Sequence, residues 1–534
     1  MTANEKVDAL FVGAGPAGLA GAIRLKQLLN DAGRSESVAV IEKGGRLGHH
    51  CLSGAIFEPE VLDELVPGWR ERRDRFVTAA LGNRVERDEL YYLYNRKSGI
   101  RIPNYMVPKP MRHEGNLMVS LSEMVRWLGS VAAEAGVEIY PGFAAGKLVI
   151  KGDSVKGVRL VDRGLDGHGQ PQSNHCAGET IRAGVTVLGE GSLGPLAGQL
   201  IRRFALDRGR NEQMVSLGVK ELIRLPEGNS FGSNRAVHTT GFPNIGTFGG
   251  GTVYSMGDNL VAVALVLGLD WRRANLNPQR ELQVFKSHGL VSEWLKGGKV
   301  IEYGAKTLPE GGYYAVPHLV ANGAMMIGDD AGLTNVAKLK GLHYAIKSGM
   351  VAAEAIFEAI VQGSCSSEQL QVYERRLAES FVMKDLAASR NYRQVFSKAG
   401  PHLGMPLTLI QGWLPRLSNK PDYAGLRRAA GDGNKAKGVD RLSDVAFSGT
   451  HHREEAPSHI EILDTTLCED CRARFGLYPC EAFCPGEVYR AHDGQLILSP
   501  TNCLHCQTCR AKCPYQNVHW KLPEGGDGPM YRRM

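Results

Sequence analysis

The start of this chain constrains its fold most. The apolar run Val7–Val12 leads straight into Gly13-Ala14-Gly15-Pro16-Ala17-Gly18, and a helical pattern follows over Gly13–Leu29. A strand, a GxGxxG turn and a helix make the first half of a βαβ unit that binds a dinucleotide. Gly13 permits the tight turn, Gly15 lets the backbone approach a pyrophosphate, and Gly18 lets the helix pack on the strand. The helix N-terminus then offers free N–H groups and a positive dipole end to the phosphates. A second apolar run, Val38–Ile41, closes on Glu42, placed to accept hydrogen bonds from ribose hydroxyls. Its distance from the glycines exceeds the usual ~20 residues, and the loop Asp31–Ser37 absorbs the excess.

Further along, Ser120-Leu121-Ser122-Glu123 has capping-box spacing and predicts a helix through Ala135 that stops at Gly136. Residues 214–315 are richer in glycine and β-branched residues and read as a mostly antiparallel sheet. Gly328–Glu354 returns to strand–turn–helix, and residues 428–457 suit a linker or surface crossing. The nucleotide is FAD or NAD on the first motif alone. Two later segments favour FAD: Thr186–Gly191, a strand ending in Glu190-Gly191, and Met325–Gly332, a strand ending in Gly328-Asp329 before a helix. Both resemble nucleotide-contacting segments of the large two-domain FAD enzymes, with Asp329 the candidate for the ribityl chain and Asp330 its rival.

Eight of the 11 cysteines lie between Cys468 and Cys513. In a chain of 534 residues such a local cluster reads as metal ligands, not as a disulfide scaffold. Cys503-x2-Cys506-x2-Cys509-x3-Cys513-Pro514 is the bacterial ferredoxin run, in which three thiolates hold one cubane cluster and the fourth holds the other. Upstream stands the looser Cys468-x2-Cys471-x8-Cys480-x3-Cys484-Pro485. The crossed-ligand rule joins Cys484 to Cys503, Cys506 and Cys509 in a first [4Fe–4S] site. It leaves Cys468, Cys471, Cys480 and Cys513 as a second complete set, either a second cluster or unused or redox-sensing thiols.

At roughly 150 residues per domain, this length implies two to four domains. The net charge of +7 is mild and does not point to a nucleic-acid partner. No run of about 18 apolar residues is present, so no bilayer-spanning helix is expected. A strand beginning by Val7 leaves no room for a signal or transit peptide.

Over nearly the whole chain the sequence resembles the electron transfer flavoprotein–ubiquinone oxidoreductase family. The residues that carry the likeness include Val12–Gln27, Leu52-Ser53-Gly54-Ala55, Gly268-Leu269-Asp270, Glu302-Tyr303-Gly304-Ala305 and Lys340-Gly341. Ala446–Thr450, Val488-Tyr489, Cys503–Cys509, Pro523-Glu524-Gly525-Gly526 and Gly528-Pro529 extend it to the end. The resemblance implies one FAD and one [4Fe–4S] cluster on Cys484, Cys503, Cys506 and Cys509. It also implies reduced electron transfer flavoprotein as donor and ubiquinone, or menaquinone, as acceptor at a membrane surface. The quinone contacts fall on the backbone of Gly249-Gly250, with Tyr313 nearby, and Ser53 and Gly54 join the flavin site. No side-chain base or nucleophile is expected. The chain departs from the family at Gly328-Asp329-Asp330, before Gly99, and in the four extra cysteines.

The expected architecture is mixed α/β. A discontinuous FAD-binding Rossmann-like domain (1–80, 112–213, 315–400) encloses an antiparallel-sheet quinone-binding domain (81–111, 214–314). A membrane-contacting segment and linker (401–435) then precedes a ferredoxin-like iron–sulfur domain (436–534). Leu403, Leu407, Ile410, Leu414 and Leu417 recur at helical spacing and suit an interfacial helix, or a core-packing one. Leu62, Leu65, Val66 and Trp69, followed by Arg70, Arg72, Arg73 and Arg75, are a second candidate membrane contact. The expected location is peripheral, on the cytoplasmic face of a bacterial inner membrane. The alternatives are a flavin-dependent isoprenoid double-bond reductase with a fused ferredoxin module, or an electron-carrier subunit of a larger flavoprotein complex.

Overall fold

The structure is a computed structural model that describes residues 6–428 and 441–534. The strand Lys6–Val12 is central to the first sheet, between Thr180–Leu188 and Val38–Glu42. Glu138–Pro141 and Ala324–Met326 extend the parallel stack on either side. The hairpin Ala145–Lys151/Ser154–Leu160 joins antiparallel through Thr180–Leu188. These central strands are near-continuous apolar runs because helices cover the sheet. The first helix spans Pro16–Asp31, not Gly13–Leu29: Gly13 has φ 101°, which no α-helix accommodates. It packs against Leu342–Val361 where Gly21 and Gly349 meet, and a methyl at Gly349 would overlap the carbonyl of Ala17. The N-cap half of the predicted capping box forms, with Ser120 Oγ accepting from the Glu123 N–H at 3.2 Å at the head of Leu121–Glu134, while the Glu123 carboxylate faces Arg75 and Arg533.

The second sheet has seven strands, in the order Lys299–Pro309, Val215–Arg224, Leu260–Gly268, Gly249–Ser255, Arg235–Gly241, Arg87–Leu93, Gly99–Ile102. All neighbours are antiparallel except Arg235–Gly241 with Arg87–Leu93.

The C-terminal part carries helices Thr465–Phe475, Pro479–Phe483 and Thr508–Lys512 and two short ribbons, Ile460–Ile462/Val518–Trp520 and Tyr489–His492/Gln495–Leu498. It shares one apolar core with the second sheet. Tyr303 Oη donates to the Pro485 carbonyl at 3.1 Å, and buried Lys512 donates to the carbonyls of Leu269, Trp271 and Asp422. Part of the expected linker, 429–440, lies outside the described residues. Beyond it the chain is built in: Val445, Ser448 and His452 are buried, and Arg453 pairs with Glu524 at 2.6 Å.

One surface expectation fails and a second holds in exposure but not in helical form. Leu62, Leu65 and Trp69 are fully buried and Val66 nearly so, all in the main core. Their arginines are held locally, Arg70 by Asp63 and Arg72 by Asp74 and Glu134. The apolar repeat from Leu403 to Leu417 is not one helix. The helix Tyr392–Leu407 is kinked at Gly400 and stops, and a 3-10 turn Gln411–Trp413 follows, because the prolines and glycines of this segment break the ladder. The segment is nonetheless exposed, with Leu403, Leu409 and Trp413 at 67%, 80% and 92% of full accessibility. No described helix is long and apolar enough to cross a membrane.

Candidate redox site

Gly13 and Gly18 are dictated by packing. A methyl on Gly13 would overlap the carbonyl of Gly189, and one on Gly18 would overlap the carbonyl of Gly13. Gly15 and Gly54 instead face open space on the wall of one cavity of about 400 Å³, a ligand-sized volume. The helix Pro16–Asp31 has no side-chain cap, so its first N–H groups are free for a phosphate. Glu42 is fixed at its strand end, accepting from the N–H groups of Ala14 at 2.9 Å and Gly44 at 2.7 Å. Each carboxylate oxygen keeps a lone pair for a ribose hydroxyl.

Across the cavity, Glu190 accepts from the N–H groups of Leu196 and Ala197, both at 2.9 Å. Burial pushes its pKa up to about 7. Asp329 lines the cavity and accepts from Thr334 Oγ1 at 3.3 Å. Asp330 turns away, accepts from the Glu190 N–H and is pushed well up, first by burial and then by the Glu190 charge. Ser53, Gly54 and Gly191 also line the cavity, whereas Gly18 and Gly328 support it from behind. This set fits a dinucleotide: open backbone where phosphates pass, and fixed carboxylates where hydroxyls sit.

Gly249 and Gly250 lie on the same cavity wall. Their strand pairs with Arg235–Gly241 only from Gly251 to Tyr254, so the pair lies just past the end of that ladder. Tyr313 is not on the wall; it packs on the main core beside Tyr314. The aromatics that do line the cavity are Phe143, Phe248, Tyr254, Tyr392 and Phe396.

Sequence reasoning missed a polar group here. Tyr254 Oη and His238 Nε2 are 2.5 Å apart on the wall, and His113 stacks on His238 at 4.5 Å. The His113 N–H donates to Asp88 Oδ2 at 2.6 Å. Burial and then His113 push the His238 pKa down to about 3, so the ring is neutral. Lys220 is also buried against the cavity, donating to the Ser53 carbonyl at 3.1 Å, with its pKa pushed down by burial to about 8. These residues are scattered along the chain, and no motif announces them.

Cys484, Cys503, Cys506 and Cys509 are all buried and free. Burial pushes the thiols of Cys484 and Cys509 up to about 12, so four such sulfurs need a cationic core to become thiolates. The loop bends for it: His505 and Gln507 take φ of 54° and 57°. The His505 N–H donates to Cys503 Sγ and Thr508 Oγ1 to Cys506 Sγ, both at 3.4 Å, and the Val488 N–H donates to Cys484 Sγ at 3.5 Å. Such donors suit sulfurs carrying cluster charge. This loop also forms part of the cavity wall. Thr307, on the wall, donates to the Cys506 carbonyl at 2.9 Å, and Gln507 is itself a lining residue.

Two family models match the chain. One, described as electron transfer flavoprotein-ubiquinone oxidoreductase, 4Fe-4S, covers residues 436–532, and one described as ETF-QO, ubiquinone-binding, covers residues 215–308. The chain is 38% identical to the electron transfer flavoprotein-ubiquinone oxidoreductase of Pseudomonas aeruginosa, over 99% of this chain and 98% of the relative. It is also 38% identical to the mitochondrial enzyme of Mus musculus, over 99% of this chain and 89% of that one. Among solved structures, a geranylgeranyl bacteriochlorophyll reductase-like protein from Thermoplasma acidophilum has the same fold. Its TM-score is 0.57 at 19% identity, over 77% of this chain and 92% of that one. That likeness is one of fold, whereas the first two run the length of the sequence: the chain belongs to the electron transfer flavoprotein–ubiquinone oxidoreductase family.

Proposed function

We propose that this protein takes electrons from reduced electron transfer flavoprotein and delivers them through a [4Fe–4S] cluster and FAD to ubiquinone or another quinone. The observation that carries this reading is the single cavity shared by the dinucleotide residues, the glycine pair and the cysteine loop. The isoprenoid-reductase alternative rests on fold alone, and the middle domain with its glycine pair argues against a carrier subunit, whereas family membership spans 99% of the chain.

In this reading FAD is held by Gly13, Gly15, Gly18, Glu42, Ser53, Gly54, Glu190, Gly191, Gly328 and Asp329. The quinone meets Gly249 and Gly250, and the cluster sits on Cys484, Cys503, Cys506 and Cys509. When bound, FAD and the cluster supply one-electron chemistry. The protein holds them near each other, excludes water with its apolar wall, and supplies protons. Quinone reduction consumes two protons, and Tyr254 Oη, hydrogen-bonded to His238, is one hydroxyl on the wall placed to give one, although burial and then the Asp88 charge push it well up; Glu190 and Lys220 stand on the same wall. The domain division follows the two sheets and the cysteine-rich end.

The acceptor partitions into lipid, so the cavity must open on a membrane. Met111, Phe248 and Met405 line it, and Tyr105, Met106, Ile245, Leu409 and Trp413, near them in sequence, are exposed. These exposed apolar side chains support peripheral contact, and the reading assigns the protein to the cytoplasmic face of a bacterial inner membrane. The test is to reduce the purified protein with reduced electron transfer flavoprotein and follow a short-chain ubiquinone. Reoxidation of FAD with one quinol formed per two electrons supports the proposal. Reduced FAD that persists in excess quinone refutes it.

A further inference from the structure

The family's single cluster leaves four of the eight C-terminal cysteines without a role, and the geometry points to one. We propose that Cys468, Cys471, Cys480 and Cys513 hold a second [4Fe–4S] cluster, on the outer side of the C-terminal domain.

The first support is that a twice-occurring Cys-x3-Cys-Pro pattern folds the same way both times. Cys480-x3-Cys484-Pro485 and Cys509-x3-Cys513-Pro514 adopt one conformation. The Cys484 N–H donates to the Cys480 carbonyl and the Cys513 N–H to the Cys509 carbonyl, each at 3.1 Å. Three residues after the final cysteine, Glu487 and Gln516 both turn left-handed, with φ of 53° and 52°. The next N–H then donates back to the sulfur, Val488 to Cys484 Sγ at 3.5 Å and Asn517 to Cys513 Sγ at 3.3 Å. A non-glycine residue in this region is uncommon, and two at matching positions mark equivalent halves. If Cys484 crosses to the first site, equivalence sends Cys513 to the second.

The second support is convergence of the four thiols. Asn517 is buried, and its side chain donates to Cys468 Sγ at 3.3 Å while its backbone serves Cys513 Sγ, so one residue holds both sulfurs. Its amide also ties to Asp464 at the head of Thr465–Phe475, through the Asp464 N–H at 2.9 Å and the Asp464 carbonyl at 2.6 Å. That helix carries Cys468 and Cys471 three residues apart, on one face. Cys471 lies within charge-interaction range of Cys513 and Cys468, and Cys480 within range of Cys513, Cys468 and Cys471, so all four sulfurs face one another. The eight-residue gap before Cys480 also has a structural cause. Those residues finish the helix, turn at Gly476 with φ 78°, and return the chain to Pro479–Phe483.

The first quartet is wholly buried and its loop reaches the cavity through Gln507 and Thr307; in the second, Cys468, Cys480 and Cys513 are partly exposed. The second site thus faces a protein donor. It would take one electron from that donor, which is oxidised by one, and pass one inward, with no proton or further reactant.

The proposal rests on the ferredoxin-like reading of this domain and not on the identity of the acceptor. The test uses the full chain, purified without oxygen and reconstituted with ferrous iron and sulfide. Two clusters give about eight irons and eight sulfides per FAD, and a dithionite-reduced EPR spectrum broadened by two interacting spins. In Cys471→Ala/Cys480→Ala the iron should halve and the spectrum should narrow to one isolated cluster. Should that variant fail to fold, Mössbauer spectra of the unaltered chain decide by the number of cubane sites. About four irons in the unaltered chain, or about four with one zinc, overturns the second site and leaves the first standing. Eight irons retained by the double variant overturns the ligand assignment. Absence of iron overturns both sites together.

Discussion

Replacing Tyr254 with phenylalanine isolates the proton-supplying role proposed for the cavity wall. The substitution keeps the ring and removes one hydroxyl, leaving His238 Nε2 without its partner at 2.5 Å. The structural cost is one buried hydrogen bond, about 1–3 kcal/mol of stability. The ring is 4% exposed and stays packed, so the cavity keeps its shape. The kinetic effect should be larger. A positioned acid contributes about 100- to 10,000-fold to a proton-transfer step, or roughly 3–5 kcal/mol of barrier, and the upward push on the Tyr254 hydroxyl by burial, then by the Asp88 charge, puts this one at the lower end. The assay compares two rates on the same sample. Bleaching of the flavin by electron transfer flavoprotein, which needs no quinone, should match the unaltered protein. Quinol formation should fall by about 100-fold or more and show a larger solvent deuterium isotope effect, because the slowed proton transfer becomes rate-limiting. Because His238 is already neutral, with its pKa pushed down by burial to about 3, its replacement by glutamine should not change the pH profile of the unaltered enzyme near pH 6.5, where an ordinary histidine titrates. Quinol formation within about threefold of normal, with the isotope effect intact, would refute the reasoning.

Gly13→Ala places a methyl against the Gly189 carbonyl at φ 101°. It should cost about 1–3 kcal/mol in overpacking alone and lower the flavin absorbance per polypeptide while the iron content holds. Leu409→Ser/Trp413→Ser removes two exposed apolar side chains, each worth up to about 1.5–3 kcal/mol of burial. Vesicle sedimentation should show weakened binding, with turnover of a water-soluble quinone retained. For Asp270, burial pushes the carboxyl up, but the Arg393 guanidinium 2.7 Å away more than offsets it and holds the folded pKa below the ordinary value. The pair therefore stabilises the fold above about pH 4 and is lost as pH falls through the folded value. Asp270→Asn should destabilise the neutral protein, toward the low end of about 3–5 kcal/mol, and flatten its acid-unfolding profile.

Features that depend on a few consecutive residues were legible in the amino-acid sequence. Gly13, Gly15 and Gly18 belong to one turn, so their spacing states the backbone path, and Glu42 follows because a strand must end beside it. The capping box at Ser120 is equally local. The cysteine run from Cys503 to Cys513 is legible because one loop supplies three corners of a cluster.

Features that depend on which distant segments meet were decided only by the tertiary structure. Asp329 and Asp330 are adjacent in sequence, but the turn into Gly332 aims the first into the cavity and the second at Glu190. Leu62, Leu65 and Trp69 have the same hydropathy whether they face lipid or core, and here the neighbouring helices bury them. Tyr254 and His238 stand on neighbouring strands, joined by a register in which Thr252 faces His238, which spacing alone does not specify. The matched turns at Glu487 and Gln516 have different sequences and one backbone conformation. Local spacing sets what a short stretch of backbone can do; burial and long-range pairing set which side chains share a site.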